Sequence, residues 1–302
     1  MKTLLLIDAN SIIHRSFHAL PSLTSKDGKP VQAIYGLSSI FLKLFRENKP
    51  DYAAALFDRP EPTFRKEKYA EYKAQRPKAP DELVQQIIEA RNFFPAFGIK
   101  AFEKPGFEAD DLIATLAEKF KNEPDVQVVI LTGDRDTLQL VEGEKVVVRT
   151  FKTGISDTIT YDERAVIEKY SLRPNQLIDY KALVGDQSDN IKGVPGIGPK
   201  TAVAVLNRFG TLEDAYNHLS DDSKLEARLK PFRKDAFLAK ELVTLERNAP
   251  IELGGIESLK LNYTENEVKK FFAEMGFEAL LRRLENGILP QKAKPNTPPT
   301  LF

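Results

Sequence analysis

Short apolar runs alternate along this chain with longer segments of helical periodicity. The runs cover residues 3–7, 52–57 and 126–131, and the helical segments between them include 33–45 and 83–94. Apolar strands that take turns with helices indicate a parallel sheet with helices on both of its faces. The sequence therefore predicts an α/β fold.

An aspartate follows each of the three predicted strands. Asp8 follows the first and Asp58 the second, while Asp134 and Asp136 lie just beyond the third in the stretch GDRD. In open parallel sheets the carboxyl ends of the strands form the ligand crevice. We therefore expect three strands to bring carboxylates to one edge of the sheet.

Two further acidic groups accompany these aspartates. The stretch FEADDLIATL, residues 107–116, places three carboxylates at the start of a predicted helix with a buried face. The stretch GDQSDN places two more aspartates three positions apart, which would face the same way on a helical turn. Helix capping explains one acid at a helix start but gives no reason for three. The candidate metal-site acids are Asp8, Asp58, Glu108, Asp110, Asp111, Asp134, Asp136, Asp186 and Asp189.

Nine carboxylates cannot share one site without cations. Two of them about 5 Å apart repel by roughly 3 kcal/mol, even at an effective dielectric constant near 20. Hard cations such as Mg²⁺ or Mn²⁺ prefer oxygen ligands, and a pair of them would use a set of this size to clamp a phosphodiester. The sequence therefore predicts two Mg²⁺ or Mn²⁺ ions. For any single acid, an ordinary cap or solvated loop residue is the alternative.

A basic segment follows Asp58 directly. Residues 59–78 contain seven Lys or Arg and three Glu, with Phe64, Tyr69 and Tyr72 interleaved, and prolines bracket the stretch. Cations hold phosphates and aromatic rings stack on bases, so we expect a helical excursion over the acidic edge that contacts nucleic acid. The predicted contacts are Arg65, Lys66, Tyr69 and Tyr72. A solvated charged helix is the alternative.

The net charge of zero conceals a separation of acidic and basic residues along the chain. The chain has 44 basic and 44 acidic residues, and setting the nine candidate acids aside leaves 35 acidic residues, an excess of nine positive charges elsewhere. A metal-loaded pocket within a basic surface suits a nucleic-acid substrate. The absence of cysteine excludes disulfides and thiolate metal sites, and the apolar run at 4–7 is too short for a signal peptide or membrane span. We therefore expect a cytoplasmic protein without a membrane partner.

A glycine-rich turn precedes a helix in the stretch GVPGIGPKTAVAVLNRFG, residues 193–210. Gly196 and Gly198 permit a tight turn, and Lys200 stands beside backbone N–H groups that can bind a phosphate oxygen. This pattern is typical of a helix-hairpin-helix that contacts the duplex backbone. A helix-turn-helix that serves packing alone is the alternative.

Five stretches together resemble the 5′-nuclease (flap endonuclease) domain of bacterial DNA polymerase I. They are LLLIDANSIIHRSFHAL, FDRPEPTFRKEKYAEYKAQR, PGFEADDLIATLA, ILTGDRDTLQL and ALVGDQSDNIKGVPGIGPKTA, and the resemblance covers nearly the whole chain to about residue 288. It implies a PIN-like nuclease core in residues 1–170, with a helical arch at about 60–80. It also implies an all-α helix-hairpin-helix region in residues 171–288, and the proline-rich 289–302 is typical of a linker.

The resemblance implies roles and partners as well. All nine acids match the family's metal-site positions, Lys73, Arg76 and Arg15 match its catalytic basic residues, and a K⁺ site is implied at the helix-hairpin-helix. The implied substrates are DNA with a 5′ flap, nick or free 5′ end, and RNA primers at RNA–DNA junctions, in replication and repair in the bacterial cytoplasm near the nucleoid. The implied state is a monomer or the N-terminal part of a polymerase I polypeptide. A PIN-type ribonuclease and a non-catalytic DNA junction-binding module are the alternatives.

Overall fold

The computed structural model describes residues 1–155, 157–219 and 223–285; the predicted linker, 289–302, lies outside them. A six-stranded sheet forms the centre, with strands β1 Lys2–Asp8, β2 Tyr52–Phe57, β3 Lys100–Glu103, β4 Val126–Leu131, β5 Val146–Thr153 and β6 Asp157–Tyr161. The strand order is β3-β2-β1-β4-β5-β6, and only β6 pairs in the antiparallel sense. The predicted parallel-sheet α/β fold is confirmed.

Helices cover both faces of the sheet. Along β1, Leu4 and Leu6 pack with one apolar cluster while Leu5 and Ile7 pack with the other, so alternate side chains are buried on opposite faces. Helix α5, Ala109–Phe120, belongs to the first cluster. Helices α1, Ala9–Ala19, α2, Gln32–Asn48, and α4, Asp81–Ala96, belong to the second.

The basic segment is less helical than the sequence predicts. Helix α3 covers only Phe64–Lys68, and residues 70–75 form turns. The Lys73 backbone adopts the left-handed conformation with φ 53°, which no helix accommodates. Its N–H donates to the Asp189 carbonyl at 2.9 Å, so a contact with a distant turn replaces the next helical hydrogen bond.

A helical region follows β6 and extends the apolar cluster of the α5 face. Its helices are α6 Glu163–Tyr170, α7 Gln176–Val184, α8 Pro199–Phe209, α9 Leu212–Asn217, α10 Ser223–Leu229 and α11 Arg233–Val243. Two short strands, β7 Gly185–Asp186 and β8 Ile191–Lys192, pair as a hairpin between α7 and α8. The second region is therefore all-α apart from this hairpin. None of the helices in the described part of the chain has the length and hydropathy needed to cross a bilayer.

The last described helices return to the α/β region. Helix α12, Glu265–Glu274, places Phe271 and Phe272 in the cluster that contains Phe93 and Phe97, and helix α13, Glu278–Glu285, adds Leu280 to it. The segment before α12 approaches the core closely, because a Cβ on Gly98 would lie 2.3 Å from the Asn262 carbonyl carbon. Packing therefore joins residues 256–285 to the α/β core, whereas chain order places them after the helical region.

Candidate active site

Asp8, Asp58 and Asp134 lie at the carboxyl edge of the sheet, where β1, β2 and β4 end. The Asp8 Oδ1 accepts from the Ser11 N–H at 3.0 Å, which caps α1, and its Oδ2 accepts from the Thr132 hydroxyl at 2.6 Å. Asp58 Oδ1 accepts from the Ala109 N–H at 2.7 Å and so caps α5 from a different strand. Capping and membership of an acidic group are thus compatible, because a carboxylate has about four acceptor positions.

Burial and mutual repulsion perturb these acids. Burial, with the charge of Asp58 next in importance, raises the pKa of Asp8 to about 7. Burial and the charges of Asp8, Asp134 and Asp58 raise the pKa of Asp110 well above its ordinary value. Asp110 also has an oxygen, Oδ1, that is buried and has no hydrogen-bond partner. A buried, unpartnered carboxylate oxygen aimed among other carboxylates is a position that a cation would fill.

A second acidic group forms where the helical region meets the sheet. Asp136, Asp186 and Asp189 each offer an oxygen, and these atoms lie within 4.8 Å of one another. Asp186 and Asp189 lie on the β7–β8 hairpin and its turn, not on the helical turn that their spacing predicts. The hairpin depends on two facing glycines, because a Cβ on Gly193 would lie 2.3 Å from the Gly185 nitrogen. The two groups are linked through the electrostatic interaction of Asp136 with Asp134.

Lys181 is a site residue that the sequence did not reveal. This side chain on α7 donates to Asp136 and, at 2.6 Å, to Asp186 Oδ2. Burial opposes its charge, but the two carboxylates outweigh burial and raise the pKa of Lys181. Lys181 also offsets burial at Asp186 and holds the pKa of that carboxyl below its usual range. Its distance of five positions from Asp186 is the only local signal, and that spacing is not diagnostic.

The basic segment reaches the acids with three side chains. Lys73 Nζ donates to Glu108 Oε1 at 2.7 Å, and Arg76 Nη2 donates to Asp189 Oδ1 at 2.5 Å. The Tyr72 hydroxyl contacts Glu108 Oε2 at 2.9 Å and Asp189 Oδ2 at 3.0 Å. Burial opposes the charge of Lys73, but Glu108 and Asp189 raise its pKa. These residues therefore bring Glu108 and Asp189 together across the two parts of the site.

Two predicted DNA contacts, Arg65 and Tyr72, and one candidate metal-site acid, Asp111, are placed differently from the expectation. Arg65 is 1% exposed and pairs through two hydrogen bonds of 2.7 Å with Asp111, which is 0% exposed. Arg65 therefore cannot reach a DNA phosphate in this arrangement, and Asp111 faces a guanidinium and not the cluster that contains Asp110. Tyr72 is 4% exposed, so its ring is not available for stacking on a base. Burial against distant segments, which local pattern does not reveal, explains the placement of all three residues.

The other predicted contacts of the basic segment stay near the surface. Lys66 Nζ donates to the carbonyl oxygens of Ala70 and Tyr72 at 2.5 and 3.1 Å, and Tyr69 donates its hydroxyl to Glu71 at 3.1 Å. Arg15 lies on α1, donates its Nε–H to the Gly154 carbonyl at 2.6 Å and stacks over Phe151. Arg15 lines a notch with His14 and His18 next to Gly133.

The glycine-rich turn leads into α8 as predicted from its residues. Gly196 has φ 80°, which explains its lack of a side chain, and Gly198 caps the N-terminus of α8 with φ −94°. A Cβ on Gly198 would meet nothing within 4 Å, so neither the backbone angle nor packing requires glycine there. Lys200 is exposed beside this turn. The first turn of α8 thus presents free N–H groups and a cation to solvent.

The donor set fits hard divalent cations. It consists of carboxylate oxygens, with the unpartnered Asp110 Oδ1 in one group and the oxygens of Asp136, Asp186 and Asp189 in the other. Oxygen-rich sites of this kind suit Mg²⁺ or Mn²⁺ and not softer metals. Lys181, Lys73 and Arg76 supply positive charge to the same carboxylates.

A parallel α/β sheet with acids at its carboxyl edge, followed by a helical region with a glycine-rich turn, defines the class of α/β nucleases. A family model described as the 5′-3′ exonuclease N-terminal resolvase-like domain matches residues 3–171. A second, described as the 5′-3′ exonuclease C-terminal SAM fold, matches residues 172–267. The chain belongs to the 5′-3′ exonuclease family.

Bacterial relatives are similar over almost the whole chain. The 5′-3′ exonuclease of Aquifex aeolicus is 38% identical over 286 residues, which cover 94% of this chain and 96% of that protein. DNA polymerase I of Caldicellulosiruptor bescii is 41% identical over 285 residues, 93% of this chain but 33% of that protein. The chain thus spans about a third of the length of that polymerase relative.

Solved structures share the fold at lower identity. The bacteriophage T5 5′-exonuclease, solved with bound zinc, has a TM-score of 0.66 and 23% identity over 94% of this chain and 99% of that one. The catalytic core of Rad2, solved in complex with DNA substrate, has a TM-score of 0.58 and 16% identity over 94% of this chain and 92% of that one. These likenesses support the architecture of the sheet and helical region.

Proposed function

We propose that the chain is a structure-specific 5′ nuclease that hydrolyses phosphodiester bonds near 5′ flaps, nicks or free 5′ ends of DNA with two divalent cations. The observation that carries this proposal is the convergence of carboxylates from β1, β2, β4, α5 and the β7–β8 turn, with the buried Asp110 Oδ1 left without a donor. Gathering ionised carboxylates in this way costs stability unless cations neutralise them.

The candidate metal-holding residues form two groups. Asp8, Asp58, Asp110 and Asp134 would hold one Mg²⁺ or Mn²⁺, and Asp136, Asp186 and Asp189 the other, with Glu108 at the boundary. Divalent cations bound there would supply an activated water and neutralise charge on the departing 3′ oxygen, leaving a 5′-phosphate product. Asp111 is not included, because its oxygens are occupied by Arg65 and by backbone N–H groups.

Lys73 and Arg76 would act on the substrate directly. In the structure they pair with Glu108 and Asp189, the same carboxylates that border the proposed metal positions. Both side chains can exchange these partners for non-bridging oxygens of the scissile phosphate and stabilise the charge that develops there. Tyr72 would hold Glu108 and Asp189 in place during this exchange.

The helix-hairpin-helix would hold the duplex by its backbone. Exposed Lys200 and the backbone N–H groups of Lys200 and Thr201 in the first turn of α8 would form a phosphate-binding site beside the turn of Gly196 and Gly198, with a bound K⁺ proposed at the same turn. Substrate choice would then follow junction shape more than base sequence. Similarity to DNA polymerase I relatives supports a role in replication and repair, including removal of RNA primers.

The test is cleavage of a 5′-labelled flap duplex with and without Mg²⁺, beside a matched RNA flap. We expect Mg²⁺-dependent cutting near the junction and a loss of at least about 100-fold in kcat for Asp134→Asn, with DNA affinity retained. Binding without strand cleavage under Mg²⁺ or Mn²⁺ would favour the junction-binding module. Preferential cutting of the RNA flap would favour the ribonuclease.

A further inference from the structure

The Arg65 guanidinium uses every one of its N–H donors. Nε donates to the Leu242 carbonyl at 2.8 Å, and Nη2 donates to Asp111 Oδ1 at 2.7 Å and to the Thr244 carbonyl at 2.8 Å. Nη1 donates to Asp111 Oδ2 at 2.7 Å and to Glu108 Oε2 at 3.5 Å. Since a guanidinium carries five N–H groups, none remains for a phosphate.

The Asp111 carboxylate is equally saturated. Oδ1 accepts from Arg65 and from the Glu246 N–H at 2.9 Å, and Oδ2 accepts from Arg65 and from the Glu108 N–H at 3.1 Å. These four contacts fill the acceptor positions of an ionised carboxylate. Asp111 therefore has no lone pair to offer a cation, in contrast to its neighbour Asp110.

The pair lies where three parts of the molecule meet. Arg65 belongs to α3, at the start of the basic segment whose later residues Tyr72, Lys73 and Arg76 contact the acids. Asp111 lies in the first turn of α5, next to Asp110. The carbonyl and N–H partners at residues 242–246 belong to the end of α11 and the segment after it.

We propose that Arg65 and Asp111 are a positioning pair that fixes the start of the basic segment on α5 and on the end of α11, so that Tyr72, Lys73 and Arg76 reach the acidic site. The proposal rests on the proposed nuclease function for its kinetic consequence only. The pair contacts neither substrate nor metal. It sets where the catalytic side chains stand and couples their placement to the helical region that would hold the duplex.

The matched disruption is the double variant Arg65→Met/Asp111→Leu. Removing one partner leaves an uncompensated buried charge and risks unfolding, whereas replacing both by apolar residues of similar volume preserves packing without the tether. Glu241→Gln is the control, because it removes the exposed ion pair of Glu241 with Lys68, which joins the same two elements, α3 and α11, at the surface. Circular dichroism and thermal unfolding establish that each variant is folded.

The first measurement does not require activity. The chain has no cysteine, so Ala74→Cys in the basic segment and Asn122→Cys after α5, both exposed positions, supply the only thiols for a pair of spin labels. We expect one narrow distance distribution in the parent and in Glu241→Gln, and a broadened or shifted distribution in the double variant. An unchanged distribution in a folded double variant overturns the proposal.

The second measurement separates positioning from ligand binding. Displacement of catalytic side chains by about 1 Å costs up to about 100-fold in rate, so we expect single-turnover cleavage to fall by about 10- to 100-fold in the double variant. Flap affinity, its salt dependence and the Mg²⁺ concentration at half-maximal rate should stay within about threefold, since no phosphate or metal contact is removed.

Each competing role predicts a different result. If Arg65 held a phosphate, the folded double variant would bind DNA more weakly, with a salt slope reduced by about one. If Asp111 held a metal, the folded double variant would need at least tenfold more Mg²⁺ for its half-maximal rate, with an unchanged label distance. Either result overturns the positioning pair. Absence of cleavage by the parent protein would refute the proposed function instead, while the label distances would still decide the tether.

Discussion

A buried carboxylate oxygen normally accepts at least one hydrogen bond, yet Asp110 Oδ1 accepts none in the described structure. Its neighbours Asp8, Asp134 and Asp58 all add negative charge. Burial and mutual repulsion both disfavour the ionised form of Asp110. Either a bound proton or a bound cation must therefore neutralise it. The two resolutions respond oppositely to pH, which makes them separable by experiment.

The metal-free protein should lose stability as the pH rises. The pKa of Asp8 is about 7 in the folded chain against 3.8 for an ordinary aspartate, and that of Asp110 is also raised. The folded state therefore keeps protons that the unfolded state releases, so their stabilising contribution is complete below pH 4 and is lost as the pH passes through 7. We expect urea unfolding in EDTA to report a decline of about 1–3 kcal/mol between pH 5 and 8.

Asp110→Asn identifies the source of this decline. The folded chain keeps Asp110 protonated at a pH where the unfolded chain releases the proton, and asparagine removes this linkage, so the variant should be more stable than the parent at pH 8 in EDTA and should gain less from Mg²⁺. Asp27→Asn, at an exposed turn remote from the acids, is the control and should follow the parent. Parallel pH profiles for all three proteins would contradict the assignment of the decline to this site.

The Lys181 ammonium group neutralises part of the acidic charge, as a bound metal ion would. The loss of stability on replacing Lys181 should therefore depend on whether metal is bound. Lys181→Met leaves Asp136 and Asp186 without their shared counterion, so unfolding in EDTA should show a loss of about 1–3 kcal/mol. Bound Mg²⁺ replaces that positive charge, so the loss should shrink by about 1 kcal/mol or more in saturating Mg²⁺.

The control for this linkage is Lys240→Met. Lys240 is similarly buried and bridges Asp179 and Glu213, two acids outside the candidate site. Its loss of stability should be the same in EDTA and in Mg²⁺. If Lys181→Met also lost the same stability in EDTA and in Mg²⁺, Lys181 would be a structural counterion that does not lie beside a metal position.

Among the secondary-structure elements, the sequence predicts the strands that hydrophobic periodicity determines. The strands at 3–7, 52–57 and 126–131 agree with β1, β2 and β4, because apolar residues buried on both faces form continuous runs. The shape of the basic segment was not predictable in this way. Its turns depend on contacts of Tyr72, Lys73 and Arg76 with Glu108 and Asp189, which lie 32 or more positions away.

The same distinction applies to the candidate site. A run of acids at predicted strand ends indicates a shared edge, because parallel strands have one common carboxyl end. Whether a given acid faces that edge depends on its partner. Asp110 and Asp111 are adjacent in the sequence, yet one has a free oxygen in the cluster and the other is saturated by Arg65. Such a difference arises from tertiary contacts that residue type does not encode locally.

Alanine at Gly198, in the turn before α8, should affect DNA binding more than stability. Gly198 and Gly255 each precede a helix with extended backbone and open space for a Cβ, so alanine should cost less than about 1 kcal/mol of stability at either position. A phosphate bound at the α8 N-terminus approaches the backbone closely, and a methyl group would obstruct it.

We therefore expect Gly198→Ala to weaken binding of a flap duplex by about tenfold at fixed salt, while Gly255→Ala leaves affinity unchanged. Fluorescence anisotropy in Ca²⁺, with no cleavage, provides the measurement. Equal affinities for both variants would remove the turn before α8 from the proposed duplex interface.

In the molecule as a whole, the last described segment of the chain packs against the α/β core that the first part of the chain forms. Residues 256–285 come after the helical region but pack on the α/β core, where Phe272 joins a cluster with Phe97 and Phe277. The Leu261 N–H donates to the Asp51 carbonyl at 2.9 Å, which binds this segment beside the start of β2. The helical region is thus held at both of its ends by the α/β core.

This closure predicts that the two regions unfold together. Phe272 is fully buried, so Phe272→Ala should lower the free energy of unfolding by about 3–5 kcal/mol. Because the cavity lies in the α/β core, a label at Asn122→Cys there and one at exposed Lys200→Cys in the helical region should report the same shifted urea midpoint. Below that midpoint kcat should stay within about twofold of the parent, since the ring of Phe272 packs against Phe97, Phe271 and Phe277. If the core label shifted while the label at residue 200 kept the parent midpoint, the helical region would be an independent folding unit, and closure by residues 256–285 would contribute nothing to its stability.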